Sequence, residues 1–309
     1  MVRPVDFAFN EQTAEDNEFQ NALNDQNVQV KALAEFEGAI AILQEAGVQV
    51  LVIEKNFDSP SMPDAVFPNN WFGTDSEGNV HVFPMKTENR IAETGQLGQV
   101  LGLLEKEGLI VNNVLDWQEI LGTGTVLEGT GSLILDRVNK LVYAAISERT
   151  QKHATLQFAR ETGYDAILFH TESSKGSPYY HTNVVMSIGE RVAVVCLECI
   201  PDLMERDWVK SSLEETHSVI TISRDQLEKG FCGNLLQVQD GEGKPVTVLS
   251  STAFSMLTKI QKDQLESFGK LIPVPIPTIE TVGGGSIRCM MAEIFCPEKG
   301  ERNLFLHPL

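Results

Sequence analysis

The residue with the clearest chemical potential is Cys289, which closes the run GGGSIRC at 283–289. Three consecutive glycines permit a sharp turn that brings the backbone close to a neighbour or a ligand. A thiol just after such a turn and beside Arg288 is expected to be partly exposed in a positive field, and these conditions activate a cysteine as a nucleophile. The alternative is an inert, buried cysteine on a strand, which the mostly apolar residues 290–295 favour.

Two upstream segments supply the partners that a nucleophilic cysteine needs. His181 opens the stretch HTN at 181–183, and the ordinary pKa of histidine, close to neutral pH, makes it a candidate general acid and base. Glu128 lies between an apolar stretch and a glycine turn, where a buried carboxylate could orient a histidine or bind a cationic substrate group. A structural histidine and a strand-end acid are the alternatives. Together with Cys289 they fit a nucleophile, its proton-transfer partner and a carboxylate.

Further polar residues occur where the chain should otherwise be apolar. The stretch MPDAVFPNNWF at 62–72 mixes aromatic side chains with Asp64, Asn69 and Asn70, and it is either a Pro/Asn turn or part of a site. Arg90 and Arg149 are candidates to grip a carboxylate, because a guanidinium pairs with one through two hydrogen bonds. Solvated surface arginines are the alternative for both, and Arg288 is a third candidate.

Composition and missing motifs exclude several classes of protein. The net charge of -19 gives no electrostatic basis for binding nucleic acid or anionic membranes. No apolar run is long enough to span a bilayer, and the N-terminus has no signal-peptide core. Five cysteines indicate reduced thiols and a cytoplasmic location. Cys196 and Cys199 have no second pair and no nearby histidine, so no metal is predicted, and no phosphate-loop or nicotinamide motif predicts a cofactor.

The elements that must position these residues recur along the chain. Helical patterns at roughly 29–46, 93–107, 148–162, 201–216 and 253–268 each precede a β-rich run, and four of their five ends lie at glycines. The ends are 52 to 61 residues apart, a spacing typical of a repeat architecture. Strands are predicted between the helices, including 48–53, 124–129, 182–186 and 191–195. The sequence therefore predicts one domain over 1–309, a five-unit α/β propeller with outer helices and a central cavity; a two-domain α/β protein is the alternative.

Over essentially its whole length the chain resembles the guanidino-group-modifying superfamily, which includes arginine deiminases, dimethylarginine dimethylaminohydrolases and amidinotransferases. It looks most similar to the branch of arginine-deiminase-related proteins and citrulline hydrolases. The resemblance implies a pentein-like, five-unit pseudo-symmetric α/β propeller with its active site at the centre. It is carried by the opening RP at 3–4 with Asn10, Asn17, Phe19 and Gln20, by DAVFPNN at 64–70, by EGTG at 128–131, by HTN at 181–183 and by GGGSIRC at 283–289.

The resemblance also implies roles for the residues of the site. Cys289 would attack the central carbon of a guanidino or ureido group. His181 would protonate the leaving amine and then activate water, and Glu128 would orient His181 and contact the nitrogens of the substrate. Asp64 would hydrogen-bond the N–H groups of the substrate, and Phe67 would pack over the planar group. Arg90 and Arg149 align with positions that hold the α-carboxylate.

One departure from the family pattern bears on the substrate. Relatives that act on a guanidinium usually carry an acidic residue near the end of the stretch that corresponds to 64–70, whereas this chain has Asn69 and Asn70 there. An amide can donate as well as accept, which suits a neutral ureido group with its carbonyl oxygen. We therefore predict hydrolysis of L-citrulline to ornithine, ammonia and carbon dioxide through an S-carbamoyl enzyme, without cofactor or metal. An arginine deiminase or other guanidine hydrolase, an amidinotransferase and a non-catalytic small-molecule binder stay open. The expected partner is a small amino acid, and a homo-oligomer is left open.

Overall fold

The computed structural model describes residues 1–54 and 60–299. In this part of the chain, twelve strands form four sheets of three strands each. The strands are β1 (Phe72–Thr74), β2 (Asn79–Val82), β3 (Asn113–Asp116), β4 (Ile134–Asp136), β5 (Leu141–Ala145), β6 (Asp165–Phe169), β7 (Met186–Ile188), β8 (Val192–Val195), β9 (Ser218–Thr221), β10 (Leu236–Gln239), β11 (Pro245–Ser250) and β12 (Lys270–Val274).

All four sheets follow one plan. The first two strands pair antiparallel after a short turn, and the third pairs parallel with the second. A parallel partner needs a crossover, and helices supply it. The helices are α1 (Val28–Glu45), α2 (Glu88–Ile91), α3 (Leu97–Lys106), α4 (Trp117–Leu121), α5 (Gly129–Ser132), α6 (Lys152–Thr162), α7 (Thr182–Val185), α8 (Leu203–Glu214), α9 (Arg224–Gly230), α10 (Ser251–Met256), α11 (Lys259–Glu266) and α12 (Pro277–Gly283), with 3₁₀ turns at Pro68–Asn70, Ala92–Gln96 and Leu197–Cys199.

Helix α1 fixes the element that leads to Cys289. Its side chains Phe36 and Leu43 are fully buried, and the helix packs against β12 and α12. Burying side chains of this size stabilises the fold by about 1.5–3 kcal/mol each. In addition, the Glu35 carboxylate accepts hydrogen bonds from the backbone N–H groups of Thr278 and Ile279 at 2.9–3.0 Å. These bonds satisfy free donors at the start of α12, so α12 has a defined position.

Single helical turns precede the first strands of three sheets. They are the 3₁₀ turn Pro68–Asn70, α5 and α7, and each lies beside the next. The turns approach each other so closely that only glycine fits at two positions of α5. A Cβ on Gly129 would lie 2.4 Å from the Asn69 carbonyl oxygen, and one on Gly131 would lie 2.8 Å from the His181 ring. A fourth turn joins this series, because a Cβ on Gly233 would lie 2.3 Å from the Val184 carbonyl oxygen. Polar residues on these turns are thereby brought together.

The predicted elements are found with several differences. The first four helices are confirmed, but the fifth is two helices, α10 and α11, because Thr258 caps α11 in a capping box. The predicted strand at 124–129 is wrong, since the range holds one isolated bridge, at Leu127, and α5 begins at Gly129. The predicted strand at 182–186 is wrong except at Met186, because residues 182–185 form α7. The predicted strand at 48–53 is reduced to one bridge, between Ile53 and Val2.

The α/β class with mixed sheets is confirmed, and the repeated plan is seen in four sheets. The chain ends supply further pairing, since Ile53 bridges Val2 and Leu109 bridges Glu298. The fifth unit and the single domain over 1–309 stay predictions. Among the described residues, no helix has the length and apolar character to cross a membrane.

Candidate active site

Seven of the nine predicted site residues line one cavity. They are Asp64, Phe67, Asn70, Arg90, Arg149, His181 and Cys289. Asn17, Tyr180, Gly283 and Gly285 complete the lining. The cavity has room for about one water molecule. All of the residues that line the cavity are buried.

Cys289 lies in a turn that follows α12. The predicted partial exposure of its thiol is wrong, because Cys289 is only 3% exposed. Two amide groups reach its Sγ: Asn183 Nδ2 at 3.5 Å and Asn234 Nδ2 at 3.3 Å. Arg288, the neighbour expected to supply positive charge, is bonded to the Met291 carbonyl oxygen and pairs with Glu293.

Sequence reasoning missed Asn234. It stands just before β10, the first strand of its sheet, as Asn70 and Asn183 stand just before β1 and β7. Comparison of the positions before the first strand of each repeat could have found it. Asn234 Nδ2 also donates to the Asn183 backbone carbonyl at 2.8 Å, which fixes the orientation of its amide.

The glycine run is required by packing around the aromatic ring of Phe67. Gly284 has a φ of 63° and ends α12 in the left-handed conformation. A Cβ on Gly283 or on Gly285 would lie 2.7 Å or 3.0 Å from the Phe67 ring. The glycines therefore let Phe67 and the turn that carries Cys289 meet in the cavity wall.

Glu128 and His181 form a buried pair. His181 Nε2 lies 2.7 Å from Glu128 Oε2, and both residues are at most 1% exposed. The backbone N–H of Lys86 donates to Glu128 Oε1 at 3.0 Å. An ionised carboxylate only accepts hydrogen bonds, so Nε2 carries the proton. Nδ1 is left as an acceptor on the side of the ring that faces Gly131.

The electrostatic surroundings favour a charged Glu128 and a neutral His181. Burial alone would raise the pKa of Glu128, but the Arg149 charge and the hydrogen bond from His181 outweigh it and hold that pKa well below its usual range. Burial lowers the pKa of His181, and the nearby charges of Arg149 and Arg90 act in the same direction against the pull of Glu128. The resting pair is thus a carboxylate beside a neutral imidazole that can take up a proton.

Asp64 presents one free oxygen in the cavity wall. Its Oδ2 accepts hydrogen bonds from Asn10 Nδ2 at 2.7 Å and Thr13 Oγ1 at 2.9 Å, whereas the buried Oδ1 has no partner. Burial raises the pKa of Asp64, although the Arg90 charge opposes the shift. The free oxygen is available to a ligand N–H group.

Asn70 is held by Arg90 in one orientation. Arg90 Nη1 donates to Asn70 Oδ1 at 2.7 Å, and Nε and Nη2 bind Glu93 at 2.9 and 3.0 Å. A guanidinium cannot accept a hydrogen bond, so Oδ1 must face Arg90. Asn70 Nδ2 is consequently a buried donor without a partner. Arg90 thus positions Asn70, and the contact of Arg90 with a substrate carboxylate stays a prediction.

Asn69 was predicted to bind the substrate, but it has a structural contact instead. It is fully buried but does not line the cavity. Its Nδ2 lies 3.4 Å from Thr130 Oγ1, and its backbone carbonyl accepts from the same hydroxyl at 3.3 Å. Asn69 therefore joins the first helical turn to α5.

Arg149 lies between the Glu128–His181 pair and the N-terminal segment. Its Nη1 is 3.6 Å from Glu128 Oε2, while Nε and Nη2 bind the carboxylate of Asp16. Lys86 Nζ binds the same carboxylate at 2.8 Å. Among residues 1–54 and 60–299, no three His, Cys, Asp or Glu side chains are grouped to hold a metal ion.

A family model described as N,N dimethylarginine dimethylhydrolase, eukaryotic, matches residues 3–296. The match covers nearly the whole chain, so the chain belongs to this family, as the resemblance to guanidino-modifying enzymes implied. No curated protein matches the chain. The description of the family model names a hydrolase of a methylated arginine.

Solved structures show the same fold at low sequence identity. ArgZ, an arginine dihydrolase from cyanobacteria, has a TM-score of 0.73 at 15% identity over 97% of this chain and 41% of its own. This chain thus spans about two fifths of full-length ArgZ. It covers 95% of the separate N-terminal domain of ArgZ bound to substrate, with a TM-score of 0.66 at 15% identity over 94% of this chain. DDAH from Pseudomonas aeruginosa, complexed with citrulline, has a TM-score of 0.60 at 14% identity over 85% and 88% of the two chains.

Proposed function

We propose that this protein hydrolyses the ureido group of L-citrulline and releases L-ornithine, ammonia and carbon dioxide. The observation that carries the proposal is the orientation of Asn70. Its Oδ1 accepts from Arg90, so the unpaired Nδ2 donor is directed away from Arg90, in a residue that lines the cavity of Cys289. A ureido group has a carbonyl oxygen that needs such a donor, whereas a guanidinium has only N–H groups in its place.

Other unpaired atoms match the remaining groups of a ureido compound. Asp64 Oδ1 and Asn183 Oδ1 are buried acceptors without partners. A ureido group has N–H donors on both nitrogens, and buried acceptors gain most from a ligand that pairs them. Burial raises the pKa of Asp64 against the charges of Arg90 and Arg149, and a neutral substrate makes no demand for a second buried charge.

The proposed reaction has two stages. In the first, Cys289 Sγ attacks the ureido carbon while its proton passes to His181, and the Asn70 amide stabilises the negative charge that develops on the carbonyl oxygen. His181 then gives the proton to the δ-nitrogen, the carbon–nitrogen bond breaks, and ornithine leaves. The product on the enzyme is an S-carbamoyl Cys289.

In the second stage, His181 takes a proton from water, which attacks the carbamoyl carbon. The carbon–sulfur bond breaks, the thiol regains its proton, and carbamic acid leaves to decompose into ammonia and carbon dioxide. Glu128 holds His181 through Nε2 and stabilises the imidazolium that forms in each stage. Asn183 and Asn234 donate to Sγ and hold the sulfur in position for attack.

The proposal extends to the five-unit architecture around the site and to the cellular location of the protein. We propose that the turn of Cys289 closes a ring with the three helical turns and the turn at Gly233. Phe67 approaches Gly283 on one side, and Asn234 reaches Cys289 on the other. This ring would be the centre of a five-unit, single-domain propeller. The five cysteines are free thiols, which supports a reducing, cytoplasmic location.

Hydrolysis of arginine is the second candidate. It is favoured by the family model, which is described for a methylated arginine, and by the similarity to ArgZ, an arginine dihydrolase. In that case Asn70 Nδ2 would face N–H groups of the guanidinium, and one buried donor would stay unpaired at a cost of about 1–3 kcal/mol.

The test is to incubate the purified protein separately with L-citrulline, L-arginine and asymmetric dimethylarginine, with Cys289→Ala as the control. We expect ornithine and ammonia from citrulline, at a kcat/KM above that for the two guanidino compounds, and no product with the variant. Citrulline that accumulates from arginine without further breakdown would refute the substrate proposal. Equal turnover of citrulline by Cys289→Ala would refute the thiol mechanism.

A further inference from the structure

Cys196 and Cys199 lie where a strand passes into a helical turn, away from the residues of the active site. Cys196 follows β8, and Cys199 ends the 3₁₀ turn Leu197–Cys199. The Cys199 backbone N–H donates to the Cys196 carbonyl oxygen at 3.3 Å, and a turn of this kind keeps its end Cα atoms within about 7 Å of each other. A disulfide needs Cα atoms about 4.4–6.8 Å apart, so the backbone is compatible with a bond between the two sulfurs.

The two sulfur atoms are in direct contact. Cys196 Sγ lies 2.6 Å from Cys199 Sγ, and both residues are fully buried. The surrounding backbone holds the turn on both sides. The Cys196 N–H donates to the Val185 carbonyl oxygen at 3.0 Å, and the Glu172 N–H donates to the Cys199 carbonyl oxygen at 2.8 Å. The two thiols are therefore held within reach of each other by the fold.

The surroundings of the two thiols are unequal. Arg224 lies beside the turn, because its Nη2 donates to the Glu198 carbonyl oxygen at 3.0 Å, and its buried Nε has no hydrogen-bond partner among the residues that the structure describes. The hydrogen bond with Cys196 lowers the pKa of Cys199 most, and contacts with Tyr179 and Arg224 lower it further against the effect of burial. The bond with Cys199 and burial raise the pKa of Cys196. Cys199 is therefore the thiol that ionises, and Cys196 is the one that keeps its proton.

Tyr179 connects the pair to a second cavity. Its hydroxyl lies 3.6 Å from Cys199 Sγ and donates to Glu228 Oε1 at 2.8 Å. Both Tyr179 and Glu228 line a cavity of ≈320 Å³, whose described lining residues differ entirely from those of the cavity of Cys289. Hydrogen peroxide is little larger than water and forms hydrogen bonds as water does, so it suits a polar approach past the Tyr179 hydroxyl. The burial of both sulfurs disfavours bulkier oxidants.

We propose that Cys196 and Cys199 are a redox-active pair, which hydrogen peroxide oxidises to a disulfide and a small thiol reduces again. Neither cysteine takes part in the proposed hydrolysis, so the pair is a modification site separate from Cys289. Dithiols of this kind suit a reducing compartment, where disulfides are transient and serve redox sensing or catalysis.

The oxidation has two steps. The Cys199 thiolate attacks one oxygen of the peroxide, the O–O bond breaks, and hydroxide leaves and takes up a proton to become water. The product is a sulfenic acid on Cys199. Cys196 Sγ then attacks the Cys199 sulfur, the S–O bond breaks, and the leaving hydroxide takes the Cys196 proton to become a second water. The two thiols lose two electrons and two protons in total, and two molecules of a thiol reductant reverse the change by exchange.

The thiol state of the folded wild-type protein tests the proposal. The protein is treated with increasing hydrogen peroxide, quenched with catalase, denatured in N-ethylmaleimide and digested for mass spectrometry. We expect the peptide of Cys196 and Cys199 to lose two hydrogens and both alkylation sites, and dithiothreitol to restore them. This should occur at a peroxide concentration about tenfold or more below that which oxidises Cys232 or Cys296, which are buried thiols outside the pair. Alkylation of both Cys196 and Cys199 at concentrations that oxidise Cys232 or Cys296 overturns the proposal, as does a sulfinic acid in place of the disulfide.

Single substitutions test the different roles of the two thiols. In Cys196→Ser, peroxide should leave a sulfenic acid on Cys199 that dimedone traps, whereas Cys199→Ser should give no adduct on Cys196 at the same dose. Cys232→Ser is the matched control and should form the disulfide as the wild type does. Equal trapping on Cys196 in Cys199→Ser would overturn the assignment of Cys199 as the reactive thiol. Circular dichroism checks that each variant is folded, and the wild-type experiment decides the proposal without them. Because the readout is the thiol state, a negative citrulline assay leaves both tests intact.

Discussion

Replacement of Asn70 by aspartate is the change that most directly alters the proposed preference for a ureido group. The residue is 1% exposed, and Arg90 Nη1 would keep one carboxylate oxygen at the place of Oδ1, 2.7 Å away. The second oxygen would then replace Nδ2, the buried donor without a protein partner. An acceptor would thus face the carbonyl oxygen of the substrate at the place where a donor is needed.

The size of the effect follows from the loss of that donor. Removal of one hydrogen bond to a developing oxyanion lowers kcat by about 100- to 1,000-fold, or about 3–4 kcal/mol. The new negative charge adds repulsion, so we expect kcat/KM for citrulline to fall at least about 100-fold. A cationic guanidinium gains a partner from the same charge. The ratio of kcat/KM for arginine to that for citrulline should therefore rise by more than the fall for citrulline alone.

The assay measures ornithine from citrulline and both ornithine and citrulline from arginine, by mass spectrometry under kcat/KM conditions. Asn24→Asp, the same substitution at an exposed residue, is the control and should keep wild-type rates. Thermal unfolding of both variants separates loss of function from loss of fold. Citrulline turnover within about threefold of wild type in a folded Asn70→Asp variant would refute the role of the amide.

Three further predictions concern the groups around His181. Glu128→Gln should lower kcat by about 1,000-fold or more with a smaller change in KM, because the imidazole loses the carboxylate that holds its tautomer; a change within tenfold would contradict it. Because the pKa of His181 is lowered in the folded protein, the unfolded chain takes up a proton below pH about 6.5 that the folded chain does not. The free energy of unfolding should therefore fall as the pH drops from 7.5 to 5.5, as followed by urea denaturation, and it should fall less in His181→Gln; an equal fall in both proteins would exclude His181 as the cause. Gly131→Ala should abolish turnover, since its Cβ would lie 2.3 Å from Asn70 Nδ2. The control Gly98→Ala, in α3, has open space for its Cβ and should be active and about 0.5–1 kcal/mol more stable in thermal unfolding. A fully active Gly131→Ala enzyme would contradict the close packing of Gly131 against Asn70.

The candidate catalytic residues could be predicted from the sequence because polar side chains are unusual within apolar stretches. A carboxylate, a histidine and a cysteine each interrupt apolar stretches. His181 and Cys289 line one cavity with Asn70, and Glu128 is bonded to His181. The long helices could also be predicted, since apolar residues recur in them at helical spacing and glycines follow their ends. The turns before the first strands of the sheets were not predictable. Residues 182–185, for example, are too few to show a helical or a strand pattern, and they form one helical turn.

The hydrogen-bonding state of the site could not be predicted from the sequence. Partial exposure is predicted for Cys289, yet the residue is buried. The glycine run before it is bonded to the N-terminal segment by contacts across more than 260 residues, such as that of Gln20 with Gly283. The partner of Arg90 is likewise a matter of three-dimensional packing. Glu93 lies only three residues away, but nothing in the sequence distinguishes a buried pair from two exposed charges on a helix.

The central claim is that citrulline passes its carbamoyl group to Cys289, and the intermediate can be measured directly. Purified protein is mixed with L-citrulline, quenched in acid within the first turnover, and its intact mass is recorded, with a peptide digest to locate any adduct. The account predicts the added mass of one carbamoyl group on Cys289, ornithine in equal amount, and no adduct in Cys289→Ala. Release of ornithine with no adduct under conditions that trap acyl-enzymes, or an adduct on another residue, would contradict the account.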